Sequence, residues 1–491
     1  MGKFNPDDFV VLYPGVYTEQ EKAFVEKYLA DNKAIEERGE IDVQALIKGT
    51  LPQDTPGLGP VLKVTEAMVR YNNEKYDPAN PVLNDAEYAK KLGYKDILAL
   101  PCFGAHDDSF MVPYPPDARD TLLVSQLNHN VTVYKPIYPG DTLYMVFNSR
   151  HLTDQTPTEG SIYRHVNIKS TGSVYNQHGE KVNDVVFRVS ESLKIYKEGK
   201  RPAVMGFAEF WESAAWSNRP AHYYTDEDWK FIKDCWLKEK RQGAQPLYWE
   251  DVKIGDKPTA TVDGPILSPL IPTPPYGLAS GGSRTLKKEI LDPEIFKTMI
   301  RDENNGIYRM QNEADYIPVV PDGVGGGTLE TTDMSGDTND INTADIHKTD
   351  SSADINTADI HKTTDSRGPL LNFLGREFAE RHIFNWMGDH GWLYNIRWGL
   401  MPVEVMATYG KKMPLNTDCE YFLKHVPEMK DKNQTAHGLT EDLAIVKSYV
   451  YDKYNRDGEY FVDLAWWIET IEGDIWLSGG ATVKLPSKRS K

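Results

Sequence analysis

Residues able to move a proton are concentrated in a polar stretch of the second half. Asp340 to Ala353 reads DINTADIHKTDSSA and Asp354 to Arg367 reads DINTADIHKTTDSR, a tandem near-copy with a fourteen-residue period. The copying yields two imidazoles, His347 and His361, among carboxylates and amides. Imidazole titrates near neutrality, so such a set has the groups that acid–base chemistry needs. The repeat has two readings. It is a recent duplication in a surface loop, which tolerates insertion, or the copied segment carries a site. Asp337, Asn339 and Asp345 invite a calcium reading, but the loop lacks the glycine and terminal glutamate of an EF-hand, so no metal is expected. Gly325-Gly326-Gly327 is not followed by Lys-Ser/Thr and reads as a hinge rather than a phosphate loop. His382 and His390 flank Trp386-Met387-Gly388-Asp389 and read as structural, capping carbonyls or packing on Trp386. His106, after Pro101-Cys102-Phe103-Gly104, is a weaker candidate.

Composition narrows the class. A chain of 491 residues with 40% apolar content is too long for one ordinary core and can build two. Its formal charge of −18 argues against nucleic acid, which needs a basic stripe. The three cysteines, Cys102, Cys235 and Cys419, show no metal or disulfide spacing and suit a reduced compartment. Met1 to Asp8 is polar, without a signal core, and no apolar run is long enough to span a bilayer. A cytoplasmic location without membrane contact is expected.

Positioning elements follow from local pattern. Residues 1–60 read as an extension: a helix from Glu19 to Asn32, then a Pro/Gly-rich linker from Leu51 to Pro60. Thr65 to Tyr76 reads as a helix with Thr65 as N-cap, and Asp85 to Leu92 as another ended by Gly93. After Pro101 come strands over Val131 to Tyr134, Thr142 to Asn148, Tyr163 to Ser173 and Val182 to Ile195. Residues 199–247 read as a connector with a helix over Asp226 to Glu239. The second half repeats the plan, with a helix over Asn372 to Asn385 and strands over Ala444 to Lys453, Tyr460 to Glu472 and Trp476 to Leu485. A helix-then-antiparallel-sheet unit used twice is what internal duplication leaves.

The order of short motifs in the first half resembles the N-terminal domain of MaoC-type dehydratases. These are Val64-Thr65-Glu66, Asn80-Pro81, Asp85-Ala86-Glu87-Tyr88-Ala89, Gly93-Tyr94, Leu100-Pro101-Cys102-Phe103, Tyr134-Lys135-Pro136 and Pro139-Gly140-Asp141-Thr142. The second half resembles the family's C-terminal domain over 248–318 and 368–487. There the carriers are Trp249-Glu250-Asp251-Val252 with Gly255-Asp256, Asn385-Trp386-Met387-Gly388-Asp389 with Gly391-Trp392-Leu393, and Leu477 to Pro486. The resemblance implies an α+β chain of two fused hotdog domains, each a long helix wrapped by antiparallel sheet, forming a pseudo-dimer. Their expected bounds are 61–198 and 248–487, the latter interrupted by a polar insertion at about 319–367. It also implies a pantetheine thioester threaded between the two units.

In the family's R-specific enoyl-CoA hydratases the active loop reads Asp-x-Asn-Pro-x-His. Asp and His hold one water and exchange protons at C3 and C2, while a backbone N–H polarises the thioester carbonyl. The first half keeps Asn80-Pro81, but Leu83 takes the histidine position and Asp77 is one residue out of register. The resemblance therefore makes this half a substrate holder. In the second half Asp337 and Asn339 match, Asp340 replaces the proline and Asn342 the histidine, with His347 or His361 able to fill the vacant role. Coenzyme A belongs to the substrate rather than being a cofactor, and its phosphates make Lys411, Lys412 and Arg284, with Lys287 and Lys288, candidate contacts. The reading is a hydratase/dehydratase of a trans-2-enoyl-CoA or 3-hydroxyacyl-CoA, with an acyl-CoA as partner and a second copy as homodimer mate. Two alternatives stay open: another thioester enzyme (thioesterase or isomerase), and a non-catalytic acyl-CoA-binding subunit.

Overall fold

The structure, a computed structural model, describes residues 10–11, 15–17, 19–103, 122–154, 163–194, 220–266, 271–273, 279–281, 287–310, 372–400, 424–432 and 438–489. The first half runs α1 (Glu19–Arg38), α2 (Val43–Ile47), β1 (Leu58–Lys63), α3 (Glu66–Tyr76), α4 (Pro81–Asn84), α5 (Ala86–Lys91), β2 (Leu122–Val133), β3 (Thr142–Asp154), β4 (Tyr163–Tyr175) and β5 (Lys181–Lys194). Then follow α6 (Asp226–Lys238), β6 (Thr261–Asp263), β7 (Ile271–Thr273), β8 (Ala279–Gly281), α7 (Lys287–Leu291), α8 (Pro293–Phe296), β9 (Ile300–Arg301) and β10 (Tyr308–Arg309). The chain closes with α9 (Asn372–Met387), β11 (Trp392–Leu400), β12 (Ala444–Arg456), β13 (Glu459–Glu469) and β14 (Ile475–Lys484).

Local chemistry starts these helices. The Thr65 side chain accepts the Met68 N–H and caps α3, Asn80 caps α4 ahead of Pro81, and Asp85 caps α5. Thr225 and Asp228 close a reciprocal capping box on α6. Gly93, at φ 93°, takes the left-handed turn after α5.

Ten strands form one antiparallel sheet in the order β1-β3-β4-β5-β2-β11-β14-β13-β12-β6. Its first five strands run first, third, fourth, fifth, second by chain position. Counted inward from the other edge, β6, β12, β13, β14 and β11 give the same order. This is two fused hotdog units joined through β2 and β11. The seam is antiparallel, with Ile396 opposite Val131 and Trp398 opposite His129. The His129 ring stacks on Trp398 at 4.8 Å, and the Asn395 amide donates to Val131 O at 3.1 Å.

The long helix α9 lies against β13 and β14. A Cβ added at Gly375 would stand 2.1 Å from Leu477 Cδ2 and 3.2 Å from Ile468 Cδ1, so only glycine lets the helix come this close. Trp466 and Trp467 alternate across the sheet: Trp466 joins the main core with α9, while Trp467 packs with Val426 and Met429 on the opposite face. The main core draws on both halves, from Met68 and Val69 in α3 to Phe384 in α9.

Three readings change. β1 begins at Leu58, inside the stretch expected to be a linker; it is an edge strand with an irregularity between Leu58 and Val61, where Pro60 costs no pairing bond. β11, not anticipated as a strand, supplies half of the seam. The connector helix α6 buries Trp229, Ile232 and Trp236 with Val262, Leu443 and Ile445 of the second unit, so it is packed onto that unit.

Candidate functional site

A cleft, partly open to solvent, lies where the first half's Asn80-Pro81 turn faces the end of α9. Leu83, Leu98, Ile137, Phe384, Met387 and Trp392 give it apolar walls; Asn80, Lys135, Arg241 and Asp389 are its polar members. The cap chemistry that makes the Asn80 turn points the loop here. Asn80 Oδ1 accepts the Val82 N–H at 3.1 Å, and its amide donates to Asp77 Oδ2 at 3.0 Å.

Beneath the cleft, a buried polar network ties loop, connector and helix together. Arg241 Nη1 donates to Asp77 Oδ1 at 3.1 Å and to Asn385 Oδ1 at 3.2 Å. Asn385 donates to Glu239 Oε1 at 2.7 Å, and Lys287 donates to Glu239 Oε2 at 2.8 Å. Arg381 bridges Glu239 and Asp263, both at 2.5 Å. Burial pushes the Asp77 carboxyl above its ordinary range, with Arg241 and Arg381 pulling against it. Asp263 is likewise raised by burial, which Arg381 partly opposes. Burial also pushes Glu239 up, but Arg381 and Lys287 outweigh it and bring that carboxyl below its ordinary value.

A second link crosses the halves at the cleft rim. Tyr88 Oη in α5 donates to Asp389 Oδ2 at 2.5 Å, just after α9. That bond, with burial and the Asp389 charge, pushes the Tyr88 phenol up to about 12.

These contacts define what the first-half loop can do. Asp77 is buried in a salt bridge, and Leu83, where the resemblance would have histidine, is a core side chain. The loop is thus tied to the connector through the Asp77–Arg241 pair.

Asp337, Asn342, His347 and His361 lie outside the described residues, as do Lys411, Lys412, Arg284 and His106. Lys287 is described, and its ammonium is committed to Glu239. His382 is fully buried; its Nε2 pairs with Ser448 Oγ at 2.8 Å, and burial, then Arg381, hold its pKa down to about 3. His390 Nε2 meets Ala244 O at 3.1 Å and so ties the helix end to the connector. Among the described residues no group of three His, Cys, Asp or Glu is arranged to hold a metal. No described helix is long and apolar enough to cross a membrane.

Arg241, Glu239 and Tyr88 were not singled out as site residues by sequence. The usable signal was the motif Asn385 to Asp389, whose two polar ends contact Arg241 and Tyr88.

No protein-family model matches the chain, and no curated protein matches it. Among solved structures, the chain is similar to a MaoC-like dehydratase at 13% identity, covering 88% of this chain and 96% of that one, with a TM-score of 0.39. A putative MaoC domain protein dehydratase from Chloroflexus aurantiacus matches at 11% identity over 88% and 96%, TM-score 0.37. A conserved hypothetical protein from Mycobacterium tuberculosis with a double hotdog fold matches at 9% identity over 87% and 93%, TM-score 0.38.

Proposed function

We propose that this chain is a hydro-lyase acting on an acyl-CoA thioester: it adds water to a trans-2-enoyl-CoA, or removes it from the 3-hydroxyacyl-CoA. The observation that supports this most directly is the cleft between the two hotdog units, with apolar walls for a thioester arm and a polar edge at Arg241 and Asp389. With Asp77 engaged by Arg241, the acid–base pair is assigned to the second half. Asp337 orients the water and Asn342 helps hold it, while His347 or His361 exchanges the proton. In this proposal Lys411, Lys412 and Arg284 contact the coenzyme A phosphates.

Loss of absorbance at the enoyl band, on adding the protein to crotonyl-CoA and to branched or aromatic enoyl-CoAs, is the expected result. Asp337→Asn should lower kcat by about a hundredfold or more while the melting temperature holds. Single replacements of His347 and His361 by Ala then tell which imidazole acts. Asn342 at the family's histidine position favours a second reading, a binding subunit without chemistry. Thioesters that bind while every enoyl-CoA stays unhydrated would establish that reading instead, and release of free thiol would point to a thioesterase.

A further inference from the structure

A guanidinium carries five N–H donors in a rigid fork. In Arg241 one nitrogen does all the bonding: Nη1 reaches Asp77 at 3.1 and 3.3 Å and Asn385 at 3.2 Å. Nε is buried and meets no acceptor. Among the described residues, Nη2 meets none either. The side chain is held from one edge by its two partners, is 19% exposed, and lines the cleft. Nη2 is not fully buried, so a ligand oxygen can take its donors in place of water at the edge of the apolar cleft.

Local charge decides which acceptor suits. Arg241 is already balanced by Asp77. Lys135, the other cation of the cleft, pairs with Glu180 at 3.2 Å. Asp389 contributes a negative charge and holds a neutral partner, the Tyr88 hydroxyl. A ligand carboxylate would add a second negative charge without a free cation among these groups. A neutral oxygen would take the Arg241 hydrogen bond without that repulsion, and a hydroxyl could also donate to a carboxylate.

We propose that the cleft selects thioesters whose acyl group carries a neutral oxygen, hydroxyl or keto, beyond the reacting carbons, and that Arg241 is the residue that recognises it. This rests on the acyl-thioester reading above.

The test is equilibrium binding of saturated, unreactive CoA thioesters of matched length to the full chain. The series is plain alkyl, the same chain bearing a hydroxyl or keto group at successive positions, and the same chain ending in a carboxylate. At the position that meets Arg241, the hydroxyl or keto thioester should bind about tenfold or more tighter than the alkyl one, and the carboxylate should gain nothing. Arg241→Lys, which keeps a charge for Asp77 but loses the fork, should reduce the ratio of oxygenated to alkyl binding to about twofold. The wild-type series decides the matter even if that variant does not fold. Alkyl thioesters binding as well as every oxygenated one, or the carboxylate binding best, would overturn the inference. So would an Arg241→Lys variant that weakens all thioesters equally, because the contact would then be to the shared pantetheine arm. If no thioester binds, the thioester reading itself fails, and a lack of discrimination among bound thioesters cannot be mistaken for that.

Discussion

Arg381 offers the sharpest test of the network under the cleft. Its two terminal nitrogens each hold a carboxylate at 2.5 Å, and the three side chains are between 7% and 14% exposed. Methionine fills a similar space without charge. In Arg381→Met, Glu239 keeps Lys287 at 2.8 Å and Asn385 at 2.7 Å, so most of the loss falls on Asp263. Removing one partner of a buried pair costs about 3–5 kcal/mol. The pH dependence carries a sign. Burial already holds the Asp263 carboxyl above its ordinary value of 3.8, and losing Arg381 raises it further. A raised carboxyl pKa means that the folded state binds the proton more tightly than the unfolded chain. The associated stability is full below the unfolded pKa and is lost as pH rises through the folded one. The variant's deficit should therefore be largest at pH of about 8 and shrink on acidification. Urea denaturation of wild type and variant at two pH values reads this directly. Adding Asp263→Asn should recover more than half of the deficit. A variant within about 1 kcal/mol of wild type at the higher pH would refute the reasoning. So would an Asp263→Asn change that only deepens the loss.

Four further outcomes follow from the same packing. Gly479→Ala would set a Cβ 1.8 Å from the Arg397 carbonyl oxygen at the β11–β14 pairing, so a loss of about 3 kcal/mol or more is expected in the melting curve. Gly458→Ala, with φ 83° but nothing within 4 Å, should cost only about 1 kcal/mol. His382, held down to about 3, is neutral when folded, whereas the unfolded chain takes up a proton near the ordinary histidine value of 6.5. Wild-type stability should thus fall as pH drops through that window, and His382→Gln should flatten the slope in melting temperatures taken from neutral to acid pH. Tyr88→Phe removes the rim bond to Asp389 and should cost about 1 kcal/mol below pH 10. With the phenol raised to about 12, the wild-type advantage should fade as pH climbs from 10 through that value, whereas the Phe variant lacks this term.

Local features were legible in the sequence because their physics is local. The caps at Thr65, Asp85 and Thr225 act on N–H groups two or three residues away, and the helices read at Thr65, Asp85 and Asp226 begin within a residue of those positions, whereas the short helix capped by Asn80 was not anticipated. The repeated plan was visible as alternating strands and reappears as the same strand order in both halves. The catalytic assignment to Asp337, Asn342 and the duplicated histidines still stands on sequence alone, since the described residues do not include them. What needed the tertiary structure was every contact that joins distant segments. Arg241 meets Asp77 across 164 positions and Tyr88 meets Asp389 across 301, pairings that no spacing rule encodes. β11 escaped notice as a strand, although its pairing with β2 makes one sheet of the two halves. A charged side chain in a sequence looks the same whether it is solvated or buried. Only the topology that brings an arginine to it and buries the carboxylate decides that Asp77 holds Arg241.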